Sequence, residues 1–441
     1  MSTSGPFGDG DFLGRMLGDI LGLMGNSVAG GTERIELART LANSVATGGQ
    51  PEPNVEPIAR MELEELARVA ELHISELTGL PVVPGGSHIE IMTVGPGAWA
   101  WHTLEDWRFL LDAMSPPSLP RAPAGTEEGG GMPKDRPAGA HGESSDSTTR
   151  GDLEQGGEPP GVSLLGSAES EASGPELVAR FVSAMGPMFA AMQLGSAVGH
   201  LARSVLGQYE VPVPRPAPRL LVVPQNLDRF ASDWQLPLDQ VRLWVCLREL
   251  TTHSVLTRPH VASRWRELLT NAMRAVAEDS ASVVDRLGNL DPTNPEALES
   301  LLGDPETLLN VSPSPKRERA AKELEAVTAA LLGYVEYVLD RAGSRLLGGR
   351  TALAEAWRRR QLDRETTDRA AELLFGLDLG PAQIERGEAF VNGVLERAGE
   401  EGLRMLWSAA HALPTPAEIE APGLWLERVR LTGGDAVSGS A

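Results

Sequence analysis

Cysteine is nearly absent from this chain of 441 residues, which contains Cys246 alone. A single cysteine excludes an intrachain disulfide, so nothing in the sequence indicates an oxidising compartment. Cys246 lies in an apolar run, which predicts a buried small side chain. A thiol nucleophile needs a partner that lowers its pKa, and the sequence shows none. We therefore expect no thiol chemistry.

Long hydrophobic runs are also missing. No stretch of about 18 consecutive apolar residues occurs, so the sequence predicts no transmembrane helix. Residues 1–29 carry apolar side chains at helical spacing, but Asp9, Asp11 and Asp19 interrupt them. A signal peptide needs a basic start and an unbroken apolar core. We expect a cytoplasmic protein in which residues 1–29 form a flexible segment or a docking helix.

Positive charge is scarce. The chain has 39 basic and 61 acidic residues, a formal net charge of −22, and only Lys134, Lys316 and Lys322 are lysines. Nucleic acids and anionic membranes favour basic surfaces, so neither is expected as the main partner. Phosphate-binding Gly-x-x-x-x-Gly-Lys-Ser/Thr and nucleophile-elbow Gly-x-Ser-x-Gly motifs are absent too. A protein or peptide of unknown identity is the expected partner.

Aromatic residues are absent between Phe109 and Phe181, and this gap divides the chain. Residues 116–174 are rich in Pro, Gly, Ser and Glu and cannot bury enough apolar surface to offset the entropy of ordering them. We predict a disordered acidic linker there. On either side, the patterns predict an N-terminal helical region at 30–115, which packs on a helical main domain at 175–430. A flexible tail is expected at 431–441.

The remaining periodicity is almost entirely helical. Met61 to Thr78 has an apolar stripe that includes Val69 and Leu72, with Gly79 as its stop. A helix from Pro175 is expected to end near Gly207. Other helices are predicted at 33–46, after Thr103, after Pro237, and at 263–286, 296–303, 315–347, 350–360, 364–375, 381–398 and 400–411. Leu220 to Val223 is the best candidate for a short strand. The fold class is therefore mainly α, with little or no strand.

Two surface or aromatic clusters leave alternatives open. Trp99, Trp101 and Trp107 are interpreted as a buried packing cluster, the alternative being a ligand platform. The run Arg358 to Arg360 is interpreted as a solvated helix face, the alternative being a docking site for an acidic segment such as the linker.

One helix carries the strongest chemical pattern, Arg-Leu-Trp-Val-Cys-Leu-Arg-Glu-Leu-Thr-Thr-His at 242–253. It is similar to the His-Glu-x-x-His helix of zinc peptidases, in which two histidines one turn apart bind zinc and the glutamate is the general base. Glu249 occupies the glutamate position. Arg248 and Thr252 stand where the histidines would be.

Several separated motifs in one order extend this similarity over about residues 180–425. They are 185–200, 205–210, 221–227, 242–251, 290–298 and 411–419. Together they resemble a bacterial zincin-like family described as zinc-dependent metalloproteases or as proteins associated with deazaflavin-coenzyme biosynthesis. The resemblance implies a helical zincin-like domain and places the third ligand position at Leu332-Gly333. Arginine is permanently charged, threonine is a poor zinc ligand, and leucine offers no donor.

The sequence therefore predicts a degenerate zinc site, no cofactor, and a non-catalytic binding or scaffold protein with Glu249 in a vestigial general-base position. The alternative is an active zinc-dependent hydrolase that uses Glu249 and a non-standard ligand set. His253, His260 and Glu336 are its weak candidate ligands. A structural role is also open for Glu249, as an ion-pair partner of Arg248 or Arg242.

Overall fold

The fold is seen in a computed structural model, which describes residues 31–83, 85, 88–114, 174–288, 314–348, 350–363 and 369–438. The predicted linker, apart from residue 174, the predicted helix at 296–303 and the segment 1–29 lie outside these residues. The structure is mainly helical with two short strands, as the sequence predicts. No helix in the described part of the chain is long and apolar enough to cross a membrane.

The described part of the N-terminal region contains four helices and one strand. Their bounds are α1 Gly31–Thr47, α2 Pro57–Thr78, β1 Glu90–Thr93, α3 Pro96–Asp106 and α4 Arg108–Met114. Helix α2 ends at Gly79 as predicted. The glycine has a φ of 67°, in the left-handed region, and its N–H donates to the Ser75 carbonyl.

The expected apolar stripe of α2 is partly wrong. Leu63 and Ile74 are buried, but Val69 and Leu72 are exposed. Alanines fill the intervening positions of the buried face, at Ala59, Ala67 and Ala70, and this spacing of three and four residues matches the helical repeat. The larger side chains of Val69 and Leu72 therefore lie on the other side of the helix.

The remaining described elements follow in chain order. They are α5 Gly174–Ala202, β2 Arg219–Val222, α6 Pro224–Asp233, α7 Leu238–Leu256, α8 Pro259–Gly288, α9 Pro315–Leu346, α10 Arg350–Asp363, α11 Ala370–Phe375, α12 Pro381–Arg404, α13 Pro416–Ile419 and α14 Pro422–Ser438, with 3₁₀ turns at Met405–Trp407 and Ala410–Ala412. Helix α5 ends five residues before Gly207. Two predicted helices merge into α12, which bends at Gly399, a glycine with a φ of 62°.

The strand predicted at Leu220 to Val223 is confirmed as β2. It pairs in parallel with β1, with Glu90 opposite Arg219 and Thr93 opposite Val222. The sequence pattern did not identify β1, because Glu90–Thr93 lacks the continuous apolar run that predicts β2. The small sheet joins the N-terminal region to the chain that leads into α6 and α7.

Helix α7 is buried among the other described helices. It packs against α2 on one side and against α9 on the other, and α9 also packs along α12. Glycines allow the α9–α12 approach, because a Cβ atom on Gly333 would overlap the Gly387 backbone and one on Gly387 would overlap the Ala329 carbonyl.

The tryptophan cluster divides. Trp99 and Trp107 are fully buried, which confirms core packing for these two. Trp101 is 46% exposed, and the Arg39 guanidinium lies 4.3 Å from its ring centroid. The expectation of a buried Trp101 is therefore wrong. Cys246 is fully buried as predicted, and burial raises the pKa of its thiol to about 12.

Candidate functional site: a buried polar cluster on α7

Polar side chains lie within a helix that is otherwise a core element. Every residue of α7 from Val241 to Leu256 is buried, including Arg248, Glu249, Thr252 and His253. A helix that is buried all round must provide partners for such groups, because an unpaired polar group in an apolar interior is costly. The partners of these four residues therefore define what the cluster can do.

Arg248 makes its contacts on the side of α7 that faces α9 and α10. Its Nη1 donates to Glu336 Oε1 at 3.1 Å, and its guanidinium carbon lies 4.4 Å from the ring centroid of Trp357. A planar cation over an indole face gains further electrostatic attraction. Glu336 lies four residues after Leu332, one helical turn along α9. The Arg248–Glu336 ion pair thus links α7 to α9.

Glu249 is hydrogen-bonded to the backbone and has no ion-pair contact with either predicted arginine. Its Oε2 accepts from the Tyr209 N–H at 2.7 Å. The alternative of an ion pair with Arg248 or Arg242 is wrong, because Arg248 bonds Glu336 whereas Arg242 bonds Glu62 and Asp228. Each arginine is drawn to a carboxylate on another helix.

Burial controls the protonation of Glu249. Loss of water around the carboxylate raises its pKa to about 7, and this effect exceeds the opposing effects of the Tyr209 N–H and of the Arg248 charge. Gly207 lies directly against the same carboxylate, since a Cβ at this glycine would be 2.5 Å from Glu249 Cδ. The side chain is therefore covered by backbone.

His253 lies one turn beyond Glu249 and is fully buried. Its Nδ1 shares a hydrogen bond of 2.9 Å with the Tyr209 hydroxyl, while Nε2 has no hydrogen-bond partner among the described residues. Burial lowers the pKa of His253 to about 4, so the imidazole is neutral near pH 7. Tyr209 therefore contacts both residues, through its backbone N–H and through its hydroxyl. Residues 205–210 are one of the motifs of the family resemblance, but the contacts of Tyr209 join positions 40 and 44 residues apart and could not be predicted from that motif.

Residues 205–215, named here the 205–215 loop, cover this cluster. All of them are buried, although they form neither helix nor strand. A buried irregular segment needs partners for its backbone groups. The Trp99 indole N–H donates to the Gly207 carbonyl at 3.0 Å, and Arg215 donates to the Gln208 carbonyl at 3.1 Å. The loop is thus bonded into the core.

Two ion pairs hold the 205–215 loop, one at its last residue, Arg215, and one at its middle, Glu210. Arg215 donates to Asp106 at 3.1 Å, with both side chains almost fully buried. Arg360 donates to Glu210 at 2.7 Å and to the Ser204 carbonyl at 2.6 Å. The interpretation of Arg358 to Arg360 as a solvated face is therefore wrong for Arg360, whose charge is directed inward by a buried carboxylate. Arg358 and Arg359 remain exposed, beside Glu388 and Glu355.

The other predicted ligand positions are occupied by different contacts. The Thr252 hydroxyl donates to the Arg248 carbonyl at 2.9 Å, one turn back on the same helix. Leu332 is buried in the core. His260 Nε2 is 3.0 Å from the Trp407 carbonyl oxygen. Among the described residues, no three His, Cys, Asp or Glu side chains are grouped closely enough to hold a metal ion.

Known proteins share this fold and this sequence pattern. A crystal structure from Chloroflexus aurantiacus, described as that of a "putative hydrolase with a novel fold", aligns over 90% of this chain and 98% of its own, with a TM-score of 0.54 and 20% identity. This similarity concerns the fold alone. No curated protein matches the sequence. A sequence model of zincin-like metallopeptidases matches residues 34–426, most of the length of the chain, and the protein belongs to that family.

Proposed function

We propose that this chain is a non-catalytic member of the zincin-like metallopeptidase family that works as a binding protein. The observation that carries the proposal is the environment of Arg248, at the position of the first zinc-binding histidine. Its guanidinium is ion-paired with Glu336 and lies over the ring of Trp357.

The side chains at the expected ligand positions do not suit zinc. A zinc site needs neutral imidazole, thiolate or carboxylate donors within about 2.0–2.3 Å of the ion. Arg248 supplies a fixed positive charge, which would repel the ion. The Thr252 hydroxyl hydrogen is donated to a helix carbonyl, and Leu332 has no donor atom. We therefore derive no catalytic step that involves a metal.

The position of Glu249 also supports a structural role. A general base must come within hydrogen-bonding distance of the water or substrate proton that it takes. Glu249 is covered by Gly207, and one of its carboxylate oxygens accepts a hydrogen bond from the Tyr209 N–H. The 205–215 loop would have to move away, at the cost of the two buried ion pairs of Arg215 and Arg360.

The second candidate function is a working hydrolase with Glu249 as base and His253 as a ligand. A carboxyl pKa of about 7 is suitable for a general base, and His253 Nε2 has no partner within the described residues. His260 and Glu336, the other candidate ligands, bond the Trp407 carbonyl and Arg248. Zinc would be the expected ion in this alternative.

Metal content separates the two functions. The full chain would be purified without added metal, then incubated with zinc chloride and dialysed, and its zinc would be measured by mass spectrometry before and after loading. We expect well under one equivalent of zinc per chain in both samples. We also expect that the parent protein and Glu249→Gln do not differ in peptidase activity.

His253→Ala and a matched variant, His411→Ala on the protein surface, complete the design. One equivalent of zinc that survives dialysis and is lost in His253→Ala, but retained in His411→Ala, would overturn the proposal. If the protein held that zinc and also had a peptidase activity that Glu249→Gln abolished, the hydrolase function would be established instead.

A further inference from the structure

A cleft lies beside the Arg248–Glu336 ion pair, with Glu336 in its wall. Its volume is about 410 Å³, and residues from α7, α9, α10 and α12 line it. This volume falls within the range of about 300–1,000 Å³ that is typical of small-ligand sites. Glu249 and His253 are not among its lining residues, so the cleft is open to a ligand that does not reach them.

The cleft walls combine negative charge with aromatic rings. Among the described lining residues four are acidic, Glu336, Asp340, Glu355 and Glu388, and one, Arg358, is basic. Arg248 and Arg359, which are not in the lining, pair with Glu336 and Glu355. Trp244 and Tyr337 supply the rings. Carboxylates with aromatic faces are the usual surroundings of a bound guanidinium or ammonium group.

The Glu336–Glu388 side of the cleft retains a repulsion that a cation would relieve. Burial and the neighbouring charge of Glu336 raise the pKa of Glu388. Arg358 opposes this only weakly, since it lies 3.9 Å from Glu388 and its side chain is 58% exposed. Glu336 bonds Arg248 through Oε1, and the Arg248 guanidinium does not line the cleft.

We propose that this cleft binds an organic cation, with a guanidinium or primary ammonium group held between Glu336 and Glu388 against the rings of Trp244 and Tyr337. The proposal rests on the binding function proposed above and names the chemistry of the partner. A divalent metal ion is a poor occupant, because the described acidic side chains include no group of three suited to one ion. An extended ligand can contact carboxylates on separate helices. Its source is an arginine or lysine side chain of a peptide, or a free amine.

Cysteine chemistry can measure the charge preference of the cleft. Cys246 is buried, so Asn392→Cys, at an exposed position of the cleft lining, adds a readily accessible thiol. The rate at which this thiol reacts would be measured with two methanethiosulfonate reagents, one with a cationic trimethylammonium group and one with an anionic sulfonate group. Ser408→Cys, exposed and outside the cleft, corrects for the overall acidity of the protein. We expect the cation-to-anion rate ratio at Asn392→Cys to exceed that at Ser408→Cys by about tenfold.

Ligand protection then tests binding itself. N-acetyl-arginine methylamide and agmatine would be added while a neutral reagent modifies Asn392→Cys, with the isosteric uncharged citrulline amide as the control. Slowing by both cations supports recognition of the charged group alone, and slowing by the arginine amide only supports a peptide ligand. Glu388→Gln should weaken the protection, whereas Glu401→Gln, which removes an exposed carboxylate elsewhere, should leave it unchanged.

Equal rate ratios at the two cysteines, or equal protection by arginine and citrulline amides, would overturn this proposal. Thr351→Cys, a second exposed position in the lining, would replace Asn392→Cys if that variant lost its helical circular dichroism. Zinc content is measured separately from cation binding. Bound zinc would contradict the proposed function, whereas a zinc-free protein that binds no cation would contradict only the proposal for the cleft.

Discussion

Glu249→Gln should change the stability of the protein in a way that depends on pH. Glutamine keeps the side-chain shape and can still accept from the Tyr209 N–H, but it cannot ionise. The variant therefore removes the free-energy cost of holding a carboxylate in the buried space beneath Gly207. That cost varies with pH, which separates it from any constant effect of the amide.

The magnitude follows from the pKa of Glu249, which burial raises from its ordinary 4.5 to about 7. Below pH 4.5 the folded and unfolded states are both protonated, and ionisation costs nothing. Between pH 4.5 and 7 the unfolded chain loses the proton first, so the stability of the parent protein falls as pH rises. Above pH 7 the full cost is present, about 3 kcal/mol. The free energy of unfolding of Glu249→Gln, relative to the parent, should rise by this amount between pH 4.5 and 8.

His253 acts in the opposite direction and makes the comparison sharper. Burial lowers its pKa from 6.5 to about 4, so between these values the unfolded chain binds the extra proton. The stability contributed by the neutral imidazole therefore rises with pH in that window. In the parent the two effects largely cancel between pH 4.5 and 6.5. Glu249→Gln should expose the His253 effect as a rise in stability over the same interval.

Urea unfolding followed by circular dichroism, at half-unit steps from pH 4 to pH 8.5, would give both curves. Glu401→Gln is the matched control, because its carboxylate is exposed and its curve should run parallel to that of the parent. If the Glu249→Gln and parent curves were also parallel, Glu249 would titrate normally. The reasoning from a covered carboxylate would then fail.

Two further substitutions test the packing around the site. Gly333→Ala places a methyl group into the Gly387 backbone, so we expect a loss of about 1–3 kcal/mol or more in urea unfolding, whereas Gly348→Ala, which meets only the Gln240 side chain at 3.6 Å, should change little. Arg215→Met leaves Asp106 buried beside Arg219 alone and should cost about 3–5 kcal/mol. Adding Asp106→Leu should restore part of that loss, and a double variant as unstable as the sum of the single changes would show that the pair is not coupled.

Local patterns were sufficient to predict most helices and β2, because apolar spacing and turn residues act within a few positions. Gly79 is the clearest case, since its place after an apolar stripe predicted a helix stop, and the structure ends α2 there with Gly79 in the left-handed region. The same approach misplaced Arg360. A run of three arginines suggests a solvated face, and only the fold shows that Glu210, 150 residues earlier, draws one of them inward.

The contacts of Tyr209 were beyond sequence reasoning for the same physical reason. Nothing in a proline-spaced segment reveals that one residue will bond both Glu249 and His253, because those bonds depend on how the 205–215 loop is folded over α7. The spacing of four residues places Glu249 and His253 one turn apart on α7. This spacing could not show that Tyr209 would form hydrogen bonds with both side chains.

The Arg248–Glu336 ion pair joins α7 and α9, the two helices that carry the predicted ligand positions. A metal held by histidines on one helix and an acid on another fastens the two helices together. In this chain a positive charge stands at the first ligand position of α7, and a carboxylate lies one turn after Leu332 on α9. The same two helices are thus joined by a partly buried, charge-assisted hydrogen bond and by stacking on Trp357. Since that link uses one carboxylate oxygen, Glu336 can still face the acidic cleft with the other, which connects the two proposals: the absence of a zinc site and the binding of an organic cation.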